Sequence, residues 1–145
     1  MKVLAAIDLS RASSYIIEAV HRVATATDAE VHLLHVVTPL PSIAGPEFQP
    51  VMEPMALNAD YLDERDQLNE LVNQLTDVGV KASALIATGS PATAVLKEAK
   101  RLNTELIVVG SHGHGLLYDA LLGSVSAGIL RKSPIPVLVV PTRDN

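Results

Sequence analysis

The sequence predicts an α/β fold, a parallel sheet covered by helices on both faces, and three observations carry that expectation. Apolar runs rich in β-branched residues recur along the chain, with helical patterns between them. The core must be aliphatic, because 145 residues include one Phe, three Tyr and no Trp, and such a mix suits strands buried on both sides. Boundary signals stand where the alternation needs them, most clearly at Gly89-Ser90-Pro91, which supplies a turn, an N-cap and a proline for the first helical position. The length fits one domain spanning residues 1–145, large enough to bury a core without staples.

Five strands are expected. The first, residues 2–8, leads through Leu9 and a capping Ser10 into a helix whose Ile16, Ile17, Val20, Val23 and Ala24 repeat at helical spacing. The second covers residues 31–37. Pro39, Pro41, Pro46, Pro50 and Pro54 then exclude regular structure, so residues 39–57 read as a long surface loop, either functional or mobile. Residues 58–78 form a helix with the stripe Leu68, Leu71, Val72 and Leu75, closed by Gly79; its acids Asp60, Asp63, Glu64 and Asp66 read as a solvated face. The third strand is residues 80–87, and the helix after Pro91 turns Val95, Leu96, Ala99 and Leu102 inward. The fourth strand, residues 105–109, ends at Gly110. A helix over residues 124–132 follows, with Arg131 and Lys132 at its negative end, and residues 135–140 form the fifth strand.

Composition removes several classes of function. With no cysteine there are no disulfides, thiolate metal sites or thiol nucleophiles, and a cytoplasmic protein is the simplest expectation. The first eight residues carry one Lys and a short apolar run that meets Asp8, unlike a signal peptide, and no apolar run reaches the length of about 18 that a membrane span needs. Net charge is −5 and the eleven Lys and Arg are scattered, so no basic patch for nucleic acid is expected.

The chemistry concentrates in one segment. Gly110-Ser111-His112-Gly113-His114-Gly115 directly follows an apolar strand, and Gly123-Ser124-Val125-Ser126 opens the next helix. Glycine lets backbone amides approach an oxyanion, and a helix's first turn adds unpaired N–H groups at its positive end. Ser124 and Ser126 can add hydroxyls. No Lys or Arg occurs between Gly110 and Leu130, so the lysine that a Walker A loop sets beside the β and γ phosphates is missing and fast hydrolysis is disfavoured. A dinucleotide fingerprint also fails, since Tyr118 stands where its third small residue belongs.

Other candidate chemistry is weaker. His112 and His114 lack a carboxylate at ligand spacing, so the protein alone is not expected to hold a metal. Ser124-Val125-Ser126-Ala127-Gly128 lacks the first glycine of a nucleophile elbow, and no catalytic residue is assigned. His32 and His35 fall on opposite faces of one strand and, with His21, read as structural or surface residues. Asp8 alone reads as a cap for the following helix.

The spacing Gly110-x2-Gly113-x9-Gly123-Ser124 resembles the nucleotide-binding signature of the ATP-binding universal stress proteins. The likeness extends along the chain through Ile7-Asp8-x-Ser10, His35-Val36, Gly89-x-Pro91, the run from Val108 to Gly113 and the terminal Pro136-Val137-Leu138-Val139-Val140. It implies a Rossmann-like doubly wound sheet in order 3-2-1-4-5, whose first and fourth strands flank the point where winding reverses and ligands settle. Asp8 and Gly110 end those two strands. By the same resemblance Asp8 and the backbone near Val36 would meet adenine, Val109 and Gly110 would lie along the ribose, and Ala6 would be a further nucleotide-binding residue. His112, Gly113, Gly123, Ser124, Val125 and Ser126 would surround the phosphates of ATP, AMP or ADP, with Mg²⁺ or Mn²⁺ carried by the nucleotide.

The resemblance further implies a homodimer through the last strand, Val137 to Val140, and a regulatory or stress-response role with a protein partner that the sequence does not identify. A slow Mg²⁺-dependent nucleotide hydrolase using His112 or His114, or a dimeric scaffold without nucleotide, are the alternative readings.

Overall fold

The computed structural model describes residues 1–38, 59–112 and 122–142. The expected loop at 39–57 and the residues Gly113, His114 and Gly115 lie outside the described residues. Within them the chain runs β1 (Lys2–Ala6), α1 (Ser13–Thr27), β2 (Glu30–Val37), α2 (Ala59–Thr76), β3 (Lys81–Thr88), α3 (Pro91–Arg101), β4 (Leu106–Gly110), α4 (Ser124–Lys132) and β5 (Val137–Val140). All pairings are parallel and the strand order is β3-β2-β1-β4-β5, as the resemblance implied. None of the described helices is long and apolar enough to cross a membrane.

Strand alternation splits the core into two layers. On one face Val3, Ala5, Ile7, Val31, Leu33 and Val108 pack under Ile16, Ile17 and Val20 of α1 and Leu68 and Leu75 of α2. On the other, Leu4, Leu34, Ile107 and Val109 meet Val95 and Ala99 of α3 and Ile129 of α4. Each fully buried aliphatic side chain contributes on the order of 1.5–3 kcal/mol relative to exposure, so this double burial favours one register of the sheet.

Helix ends follow local chemistry. Gly79 at φ 87° closes α2, with Val80 N donating to Leu75 O at 3.0 Å. Asp28, left-handed at φ 53°, ends α1 by donating to Ala24 O. Ser90 precedes Pro91 at the start of α3, and Ala94 N bonds Ser90 O at 2.9 Å.

Several boundaries differ from the expectation. β1 stops at Ala6, so Asp8 stands in the turn beyond the strand. There Asp8 Oδ1 accepts from Ser10 N at 3.0 Å and Ser10 Oγ at 2.6 Å, and Leu9 adopts φ 62°. Ser10 Oγ accepts from Ala12 N at 3.2 Å, and the N-cap position of α1 belongs to Ala12, because this side-chain turn replaces the first helical turn. β5 begins at Val137, two residues later than expected, since Pro136 has no N–H and Ser133 Oγ holds both the amide and the carbonyl of Ile135. Glu64 does not belong to a solvated face: it reaches His35 Nε2 at 3.2 Å.

Candidate functional site

β1 and β4 are adjacent in the sheet. The chain leaves β1 for α1 on one face and β4 for α4 on the other, as the two packing layers record. The winding therefore reverses between these two neighbouring strands, where such sheets hold their ligands, and Asp8 stands just past the carboxyl end of β1 and Gly110 at that of β4.

On the β1 side the peptide of Ile7 is held at both ends by β2. Its N–H donates to Leu34 O at 2.8 Å, and its carbonyl accepts from His35 Nδ1 at 2.9 Å. A carbonyl can only accept, so Nδ1 carries the hydrogen. Asp8 follows directly, half-buried, with Oδ1 committed to Ser10. Asp8 therefore does not cap α1, whose N-cap position is Ala12; its bonds close the turn before the helix and leave Oδ2 without a bond among the described residues.

On the β4 side the chain after β5 runs beside the residues that follow β4. Ser111 N donates to Val140 O at 2.8 Å, and His112 N donates to Thr142 Oγ1 at 3.2 Å. Thr142 Oγ1 returns a bond to His112 O at 3.1 Å, and Thr142 N donates to Ser111 Oγ at 3.1 Å. Ser111 Oγ also lies 3.1 Å from His112 Nδ1, and both residues are buried. A side chain at 110 would crowd this contact, because a Cβ there would stand 2.9 Å from Thr142 Cγ2 and 3.3 Å from Ile16 Cδ1, and Thr142 would have to shift.

These bonds sort the donors expected between 110 and 126. The amides of Ser111 and His112 are committed internally, as is that of Gly123, which donates to Ser111 O at 2.6 Å. The Ser126 hydroxyl donates to Gly110 O, so it fastens α4 to β4 and is not a donor for a ligand. The α4 ladder starts with Ala127 N bonding Gly123 O at 3.0 Å. The amides of Ser124, Val125 and Ser126 precede that bond and have no acceptor among the described residues; Ser124 and Val125 are exposed. With the helix dipole behind them, these amides make the electropositive end of α4.

Among the described residues no group of three or more His, Asp or Glu is arranged to hold a metal. Sequence reasoning missed Thr142, His35 and Glu64 as parts of the site. Thr142 reaches it only because the β4–β5 register sets Gly110 beside Val140, so residues two further on also meet. His32, on the opposite face, bonds Ser83 Oγ at 2.8 Å and takes no part.

A doubly wound parallel sheet with a helix N-terminus beside its switch point defines a class of small α/β proteins suited to phosphate-bearing ligands. The family model described as Universal stress protein family matches residues 1–141, and the chain belongs to that family. It is 34% identical over 152 residues to Universal stress protein YxiE of Bacillus subtilis (strain 168), covering 96% of this chain and 97% of the relative. It is 36% identical over 141 residues to Universal stress protein A homolog 1 of Coxiella burnetii (strain RSA 493 / Nine Mile phase I), covering 95% and 94%. A universal stress protein solved in complex with cAMP shares the fold, with TM-score 0.74, 22% identity and coverage of 99% and 98%.

Proposed function

We propose that the chain binds an adenine nucleotide, ATP foremost, in the crevice between β1 and β4, and serves as a cytoplasmic regulatory or stress-response binding protein. The observation that carries this reading is the trio of amides at Ser124, Val125 and Ser126, unpaired among the described residues, at the positive end of α4. An oligophosphate there gains charge-assisted bonds without lysine. Ser126 contributes through its amide, its hydroxyl being engaged by Gly110.

Ala6, Asp8 and the backbone near Val36 form the base end, with Asp8 Oδ2 as an acceptor for the exocyclic amine of adenine. Val109 and Gly110 line the ribose side, and His112 with Gly113 and Gly123 completes the phosphate end. Mg²⁺ or Mn²⁺ would arrive with the phosphates. A related protein of this fold carrying cAMP supports an adenine nucleotide as the ligand class. Binding without rapid turnover follows from the missing Walker lysine. The exposed edge of β5 is the proposed homodimer contact.

Calorimetric titration of ATP and AMP tests the reading, using the parent and a Gly113→Val, Gly123→Val double variant. Valine side chains should obstruct the phosphate approach and weaken ATP by about tenfold or more. Equal affinity in parent and variant, or no heat with either, removes the assignment.

A further inference from the structure

One part-buried ionisable pair takes no part in the ligand contacts above, yet it adjoins the stretches of β1 and β2 proposed to hold the base. His35 is 8% exposed and spans two elements: Nδ1 donates to Ile7 O at 2.9 Å, and Nε2 lies 3.2 Å from Glu64 Oε2 on α2. Glu64 is itself partly covered, with its side chain 34% exposed. Asp8 follows Ile7 in sequence, and Val36 follows His35. The His35–Ile7 bond therefore ties together the two stretches of backbone that form the base end. The turn it steadies includes Leu9 at φ 62°, a conformation costly for a residue with a side chain, which persists only when its surroundings fix it.

We propose that His35 is a positioning residue that sets the base end of the nucleotide crevice, and that Glu64 orients it, so that occupancy of the crevice and the docking of α2 are coupled. This rests on the nucleotide-binding reading above. With Nδ1 bound to a carbonyl, the ring's orientation depends on what Nε2 meets. A partner there fixes the ring as outer partners fix histidines that ligate metals. Coupling of this kind is reciprocal: if Glu64 strengthens nucleotide binding through His35, then nucleotide must strengthen the hold on α2 by the same factor.

The test compares the parent with Glu64→Ala and Glu64→Gln. A glutamine amide can donate to Nε2 of a neutral ring and keep the arrangement, whereas alanine cannot. ATP affinity by calorimetry should fall about fivefold or more in Glu64→Ala and stay within about twofold of the parent in Glu64→Gln. Amide exchange read by mass spectrometry should show ATP protecting α2 in the parent and in Glu64→Gln, with that protection lost in Glu64→Ala. Residues 7–10 should exchange faster in Glu64→Ala even without ATP. If the parent binds ATP and both variants match it, or if glutamine loses as much as alanine, the coupling is wrong while the binding reading stands. A folded parent that binds no ATP removes the binding reading and this inference together.

Discussion

Ser126 donates its hydroxyl to the carbonyl of Gly110, joining the first turn of α4 to the last residue of β4. The contact is part-buried, with Ser126 4% exposed, and it holds the start of α4 against the end of β4. A hydrogen bond of this type contributes about 0.5–1.5 kcal/mol net, and an acceptor left unmet costs more. Ser126→Ala should therefore lower unfolding free energy in urea by about 1–2 kcal/mol. A midpoint unchanged from the parent would show that this bond adds nothing to stability.

An atom added at Gly110 must displace Thr142, which lies across it. Ala at 110 would bring Cβ to 2.9 Å from Thr142 Cγ2, closer than carbon atoms settle, and to 3.3 Å from His112 O. Overpacking at such a site costs about 1–3 kcal/mol, and Gly110→Ala should show that loss in chemical denaturation. Thr142→Ser removes Cγ2 and keeps Oγ, so the double variant should recover part of it. If the double variant is no more stable than Gly110→Ala alone, the clash lies elsewhere.

His32 gives stability a pH dependence. Burial holds its pKa below the ordinary 6.5, with Glu30 pulling it up and Lys2 and Arg101 pushing it down. Nε2 lies 3.3 Å from Glu30 Oε1 without making a hydrogen bond. The folded ring binds protons more weakly than the unfolded one, so its contribution is complete above the unfolded value and is lost as pH falls through the folded value. Between about pH 7.5 and 5.5 the parent should lose more stability than His32→Gln, which cannot titrate. Parallel decline of both in thermal denaturation would exclude His32 as the source.

The free edge of β5 predicts association. Leu138 is 37% exposed on a strand whose second edge has no partner among the described residues. Sedimentation should show a dimer for the parent and a monomer for Leu138→Lys, because an edge lysine opposes strand pairing. A parent that sediments as a monomer at micromolar concentration refutes the dimer.

The two kinds of information divided along physical lines. Aliphatic runs at strand spacing, the stripe from Leu68 to Leu75, and the sequence Gly89-Ser90-Pro91 were legible because they act through local periodicity and backbone chemistry. The start of α4 at Ser124 was legible for the same reason. Asp8 read as a cap for the next helix, but its bonds go to Ser10 in the turn before α1, whose N-cap position is Ala12.

What the sequence could not decide was which donors stay open once the chain is packed. The amides of Ser111 and His112 are satisfied by Val140 and Thr142, about thirty positions away, and the hydroxyl of Ser126 by Gly110. Glu64 looked solvated on its own helix, yet α2 brings it onto His35. By itself the sequence determined the alternation of strands and helices and the glycine spacing that points to an anion, since both depend on neighbouring residues. Only the tertiary structure decided that, among the described residues, the amides of Ser124, Val125 and Ser126 have no acceptor, because a polar group is free or committed according to what the rest of the fold sets beside it.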